Sequence, residues 1–205
     1  EGTAFSNLVA SLVYLERRDE LSARRHAQLA AELDPWTLFL IRDHDLRKGD
    51  YVTARERYAK AFPELFDKVP MVNERSAFAA IDLALLLQHT GQEEQASVLL
   101  DRSEVFLRKI PRKGPWGSGI SDVAIFALRG DSATALAKLR EAERAGWRGP
   151  LWRYYRDIDP NLASIRNEPE FKEIFADIER DMARQRAELA ARPKDAPLDL
   201  GELRQ

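Results

Sequence analysis

Four alanines, Ala23, Ala54, Ala96 and Ala135, each stand five residues after a turn-like position: Arg18, Gly49, Gly91 and Gly130. Each alanine is expected to open the second helix of a two-helix unit. The clearest copy is Gly49-Asp50-Tyr51 followed by Ala54, Tyr58 and Ala61, where small and aromatic residues alternate at helical spacing. A single unit of this size cannot bury its apolar face alone, so such units stack against one another. Strand signals are nearly absent along the chain, and an all-α fold is expected. With 205 residues and 44% hydrophobic content, the chain has enough apolar material for one continuous core spread along an elongated domain.

The first pair of helices is expected from about Ala4 to Leu33, broken near Arg18-Asp19 and ended by Leu33-Asp34-Pro35, where proline removes a backbone donor. The second runs from Trp36 to about Ala61, with its turn at Gly49-Asp50 and its stop at Pro63. Glycine suits that turn because it tolerates positive φ, and aspartate caps the following helix through its carboxylate. The third covers about Glu74 to Lys109 with Gly91 at its turn, and its apolar run Ile81 to Leu87 marks a buried first helix. The fourth covers about Ser118 to Ala145 and repeats the turn chemistry at Gly130-Asp131.

This pattern resembles the tetratricopeptide repeat family, whose units carry a small and an aromatic residue on the first helix, a Gly-Asp-Tyr turn, then alanine, aromatic, alanine and a closing proline. Gly49-Asp50-Tyr51-Ala54-Tyr58-Ala61 matches the second half of a unit, and Tyr14, Ala23, Ala30 and Pro35 match the first unit. Ala84, Gly91 and Ala96, then Gly130, Asp131, Ala135 and Ala142, match more weakly, so the resemblance spans positions 4 to 145. The marker alanines are spaced by 31, 42 and 39 residues, against about 34 in the family. The surplus falls at Pro63–Asn73 and Ile110–Gly117, where connections lengthen. Arg42 and Asp45 stand where the family has a small and an aromatic residue. The resemblance implies a right-handed α–α superhelix whose first helices line a concave groove.

Positions 146–160 change character, with Trp147, Trp152, Tyr154 and Tyr155 in nine residues. This stretch looks like the end segment that follows repeats in bacterial sensory and regulatory proteins, including membrane-tethered winged-helix regulators and nucleotide cyclases. Its rings are expected to seal the end of the core, with a cation–π or sugar platform as the alternative. A capping helix is expected at 168–191, because Phe171, Ile174, Phe175, Ile178 and Met182 fall on one stripe. Residues 1–191 thus read as one repeat domain, and 192–205, rich in proline and charge, as a mobile tail.

Little in the chain points to chemistry. His26, His44 and His89 lie on three different helices without metal-ligand spacing, and the flanking Asp43 and Asp45 of His44 point about 100° away from it on either side. Pro115-Trp116-Gly117-Ser118-Gly119 lacks the lysine and spacing of a phosphate loop and reads as a connector anchored by Trp116. Glu93-Glu94 and Glu16, Asp19 and Glu20 sit near helix starts, where carboxylates favour the positive end of the dipole. No nucleophile elbow is present. Neither catalytic residues, a cofactor nor a metal is expected.

The groove residues left over by internal packing are Phe5, Leu8, Leu12 and Leu15, then Trp36, Phe39, Asp43 and Arg47, then Phe78, Ile81, Leu85, Gln88 and His89. Two readings stand side by side. In one, a partner helix or peptide binds there, the apolar residues serving as anchors and Asp43, Arg47, Gln88 and His89 fixing orientation. In the other, the superhelix closes and the chain's own segments fill the groove. With 32 basic and 34 acidic residues, the net charge of −2 advertises neither nucleic acid nor an anionic membrane. The expected partner is a protein or peptide, with homo-oligomeric assembly or small-ligand sensing as alternatives. Zero cysteines fit cytoplasm and periplasm equally. The segment is expected to be soluble, and its opening Glu1 suggests an excised part of a longer regulatory protein.

Overall fold

A computed structural model describes residues 2–114 and 117–192. Among them are ten α-helices and no strand: α1 (Ala4–Glu16), α2 (Glu20–Leu33), α3 (Leu38–Arg47), α4 (Tyr51–Ala61), α5 (Ala77–His89), α6 (Glu93–Leu107), α7 (Ser121–Leu128), α8 (Ser132–Arg144), α9 (Trp152–Asp157) and α10 (Pro169–Ala191). Short 3₁₀ turns lie at Pro35–Thr37, Pro63–Phe66 and Pro160–Leu162. No helix among the described residues is long and apolar enough to cross a membrane. The tail at 193–205 and the proposed anchor Trp116 lie outside the described residues.

The four hairpins share one turn. Gly49, Gly91 and Gly130 have φ of 72°, 73° and 76°, and Arg18 occupies the same left-handed region at 59°. In each, the residue after the left-handed one donates its N–H back across the end of the first helix: Asp19 to Tyr14, Asp50 to Asp45, Gln92 to Leu87 and Asp131 to Phe126. That bond satisfies a carbonyl otherwise orphaned at the helix end. Asp19, Asp50 and Asp131 then cap the next helix, their carboxylates accepting from the amides of Ser22, Thr53 and Thr134. These bonds hold all three carboxyls below the ordinary aspartate range. One aspartate thus closes one helix and opens the next.

Arg18 is the unit's misfit, since a left-handed conformation costs a side-chain-bearing residue roughly 1–2 kcal/mol. Glycine carries an entropic cost of about 0.5–1 kcal/mol there. Arg18 is exposed. Arg18→Gly is therefore expected to stabilise the chain by about 0.5–1 kcal/mol, read as a higher urea midpoint; a lower midpoint would contradict this account of the turn.

Just behind each turn, Ala23, Ala54, Ala96 and Ala135 are fully buried. A methyl side chain lets the second helix lie close against the first. Consecutive helices pack on each other from α1 through α8, and α5 also touches α3 and α7. The result is a row of hairpins in which each layer rests on the next. Leu8, Ile41, Leu83, Leu86, Leu99, Ile125 and Leu139 belong to one continuous apolar core along that row.

The long connections are ordered by specific bonds. Asn73 organises the turn before α5, its carbonyl accepting from the amides of Ser76 and Ala77 and its side-chain oxygen from the amide of Arg75. In the glycine-dense loop the amides of Ser118 and Gly119 donate to Pro111 and Arg112. Arg112 ties the loop to α7 and α8 through two bonds to Asp122, at 3.0 and 2.7 Å, and one to Glu141 at 3.3 Å.

The aromatic stretch after α8 turns inward. Trp147, Trp152 and Tyr154 are buried, as are Phe171, Ile174, Phe175 and Ile178 of α10. The cap rests on α8, with Arg140 and Arg148 bonded to Asp177 and Asp181. The 3₁₀ turn Pro160–Leu162 reaches further, contacting α5 and α7.

Candidate functional site

The site lies where Tyr154 of α9 meets α3 and the Pro160–Leu162 turn meets α5. Helix α3 is unusual because four consecutive polar residues, Arg42, Asp43, His44 and Asp45, are all buried. Buried charge is costly unless paired and hydrogen-bonded, so each demands a partner. Asp45 has two, Arg57 of α4 at 3.1 Å and Arg24 of α2 at 3.8 Å.

Arg42, only 1% exposed, is the hub. Its Nε and Nη2 donate to Asp43 Oδ1 at 3.0 and 2.8 Å, its Nη1 to Asp82 Oδ1, and its Nη2 to Asp159 Oδ1 at 3.3 Å and the Tyr154 hydroxyl at 3.2 Å. Tyr154 in turn donates to Asp43 Oδ2 at 2.7 Å, and Tyr58 of α4 donates to Asp82 Oδ2 at 2.9 Å. Asn161 completes the ring by donating its amide to Asp82 Oδ1 at 2.8 Å. One guanidinium thus binds four segments of the chain together.

Electrostatics follow from that geometry. Burial works against the charge of Arg42, but Asp82 and Asp43 overcome it and hold the guanidinium well above its ordinary range. Burial raises Asp43 in spite of Arg42, and it pushes Asp159 up to about 7, with Asp82 and Asp43 adding to the rise. Tyr58 and Tyr154 are also raised by burial and remain neutral donors.

Beside the hub, His44 is lowered to about 4, chiefly by burial and then by Arg47. It is neutral near pH 7. Arg47 Nη2 lies 3.0 Å from Nδ1, which places the ring proton on Nε2, a buried atom without a hydrogen-bond partner.

A run of seven rings leads away from the hub. Trp36 meets Phe39 at 6.0 Å between centroids, Phe39 meets Tyr154 at 5.1 Å, and Tyr154 meets Tyr155 at 5.6 Å. Tyr155 then meets Trp147 at 5.9 Å, Trp147 meets Phe175 at 6.5 Å, and Phe175 meets Phe171 at 4.7 Å. All six pairs are tilted or edge-to-face, as ring quadrupoles favour. The run is closed at Phe171 and open at Trp36, which is 48% exposed.

The groove residues separate into three groups. Trp36, Phe39 and Asp43 come together here, but Asp43 is buried under Tyr154 instead of being offered to solvent. Ile81, Leu85 and Leu8 are core, so they are not presented as anchors in this conformation; Phe78, Leu12 and Leu15 are half-buried. Arg47 pairs with Glu20 and His44, Gln88 donates to the carbonyl of Leu128 at 2.9 Å, and exposed His89 stacks on Tyr51 at 4.6 Å. These last three do not join the site. Phe5 stays 67% exposed at the start of α1.

Sequence reasoning missed Arg42, Asp82, Tyr154, Asp159 and Asn161 as members of one site. Two signals pointed at it: Arg42 stands where the repeat pattern has a small residue, and Asp82 is the only charged residue in α5 apart from the terminal His89. No group of His, Cys, Asp or Glu among the described residues has the arrangement to hold a metal ion. Surface hollows of about 390 Å³ over Leu21, Arg24 and Gln28, and about 520 Å³ beside Met182, Gln185 and Leu189, each line a single helix away from the site. No family model, curated protein or solved structure matches the chain.

Proposed function

We propose that the chain is a non-catalytic protein-interaction module, a right-handed stack of tetratricopeptide-like hairpins that receives a helix or peptide at the open end of the aromatic run. The recurrent left-handed turn, the buried alanines behind it and the layer-by-layer packing support the repeat reading. The single observation that carries the docking site is Trp36, half out of solvent on the face of Phe39. A large ring held by a neighbour binds with little loss of freedom, which is why tryptophan so often dominates interfaces.

The inner part of the groove is occupied by the chain's own Tyr154, Asp159 and Asn161, so a partner engages the rim. Peptides selected from a random display library on the whole chain are expected to lose about 30-fold or more in affinity against Trp36→Ala, equivalent to at least about 2 kcal/mol. Equal binding to both proteins, or no enriched peptide, would overturn the reading.

Self-association is the second reading, favoured by Phe5, Val9 and Val13, which are 67, 43 and 38% exposed along one side of α1. The described part of that helix is uncharged up to Glu16. A light-scattering mass that stays monomeric across a wide concentration range would remove it.

A further inference from the structure

The Arg42 site holds more acid than base. Three carboxylates, Asp43, Asp82 and Asp159, share one guanidinium, and their side chains are only 4, 13 and 5% exposed. Fully ionised, the site would carry two uncompensated negative charges in a medium where like charges repel strongly. Such crowding favours a retained proton on Asp43 or Asp159, the two acids that burial raises. The other groups around Asp159 do not supply the missing positive charge. Tyr58 from α4, and Tyr154 and Tyr155 from α9, are neutral; Asn161 is neutral; Arg166 donates to the backbone carbonyl of Asp159, not to its carboxylate. Asn161 Oδ1 is a buried acceptor without a donor.

The three acids belong to segments far apart in sequence. Asp43 and Asp82 sit on α3 and α5, while Asp159 caps the Pro160–Leu162 turn through the amide of Asn161 at 3.1 Å. Asp159, Tyr154 and Asn161 are therefore the points at which the C-terminal segment grips α3 and α5. We propose that the Arg42 site is a proton-operated latch: a proton shared between Asp43 and Asp159, which meet on the same guanidinium nitrogen, keeps the segment Trp152–Leu162 docked across α3 and α5, and loss of that proton lets the segment lift away. Lifting would uncover Phe39 and Asp43, now covered by Tyr154.

The sign is set by linkage. Asp159 binds its proton more tightly when docked than when released into water, where an aspartate titrates near 4. The docked state therefore weakens as pH rises between about 4 and about 7, by up to about tenfold in the open-to-docked ratio per pH unit, and changes little above that. The latch is tight in acid and slack at neutral pH.

Amide hydrogen exchange on the whole chain, corrected for the intrinsic pH dependence, tests this without any partner. Protection at Tyr155 and Ile158, whose amides donate to Leu151 and Tyr154, is expected to fall at least about tenfold between pH 5 and 7, while Leu99 and Leu100 of α6 stay constant. Asp159→Asn, which keeps the shape of the group and removes its titration, is expected to flatten the change. A smaller fall in the unaltered chain, or an equal fall in D159N, overturns the latch. Should D159N fail to fold, the carboxyl carbon shift of Asp159 in the unaltered chain decides: a midpoint above about pH 6 supports it, and a midpoint at or below that overturns it.

Discussion

Arg42→Met is expected to destabilise the chain by about 3–5 kcal/mol at pH 7, the range seen when one partner is removed from a buried ion pair. Methionine fills much of the same volume, so the loss reports charge and hydrogen bonding. Without the guanidinium, Asp43, Asp82 and Asp159 face one another with no counter-charge among the groups that bond them. Asp43 and Asp159, already raised by burial, would then take up a proton more readily, so the deficit should shrink on going from pH 7 to about pH 5. Urea denaturation at the two pH values measures both quantities. A loss below about 1 kcal/mol, the size typical of an exposed pair, would mean that Arg42 is not the hub described above.

The second large effect is expected at the far end of the aromatic run. Phe175 is fully buried, its ring centroid 4.7 Å from that of Phe171 and 6.5 Å from that of Trp147. Phe175→Ala should cost about 3–5 kcal/mol, combining lost transfer energy with the cavity left behind. Because Trp147 packs next to Tyr155 and Tyr155 next to Tyr154, the loss should also loosen the docked segment. Tryptophan fluorescence and far-ultraviolet dichroism should report one shared, lowered transition. Two separate transitions, with most helix melting at the original midpoint, would show that α10 is only a loosely attached appendage.

The hairpins were readable from sequence because their signals are local. A left-handed residue followed by a capping aspartate ends one helix and begins another within three positions, and Arg18-Asp19 could be recognised even without glycine because Ala23 stands at the same offset. The stripe from Phe171 to Ile178 located α10 for the same reason. The rings at 146–160 were expected to seal the core, with a solvent-facing platform as the alternative, since a cluster without periodicity does not declare its inner side. Burial of Trp147, Trp152 and Tyr154 answers it for those three.

The site was harder to foresee. Arg42 and Asp159 are brought together by the return of the chain after α8, and no spacing rule links them. Asp43 lay at a groove position by helix register, yet register along α3 says nothing about Tyr154 arriving on top of it. Arg42 was visible as a departure from the repeat pattern. Its meaning emerges only with the three carboxylates around it.

The central claim is that the segment Trp152–Leu162 docks on α3 and α5 around Arg42. Proton–proton Overhauser spectroscopy on selectively ring-labelled protein addresses it most directly, through Phe39 and Tyr154, whose ring centroids are 5.1 Å apart. Cross-peaks between these two rings are predicted at about pH 5, where the latch is tight. Their absence, with both rings well resolved and the protein folded, would contradict the account.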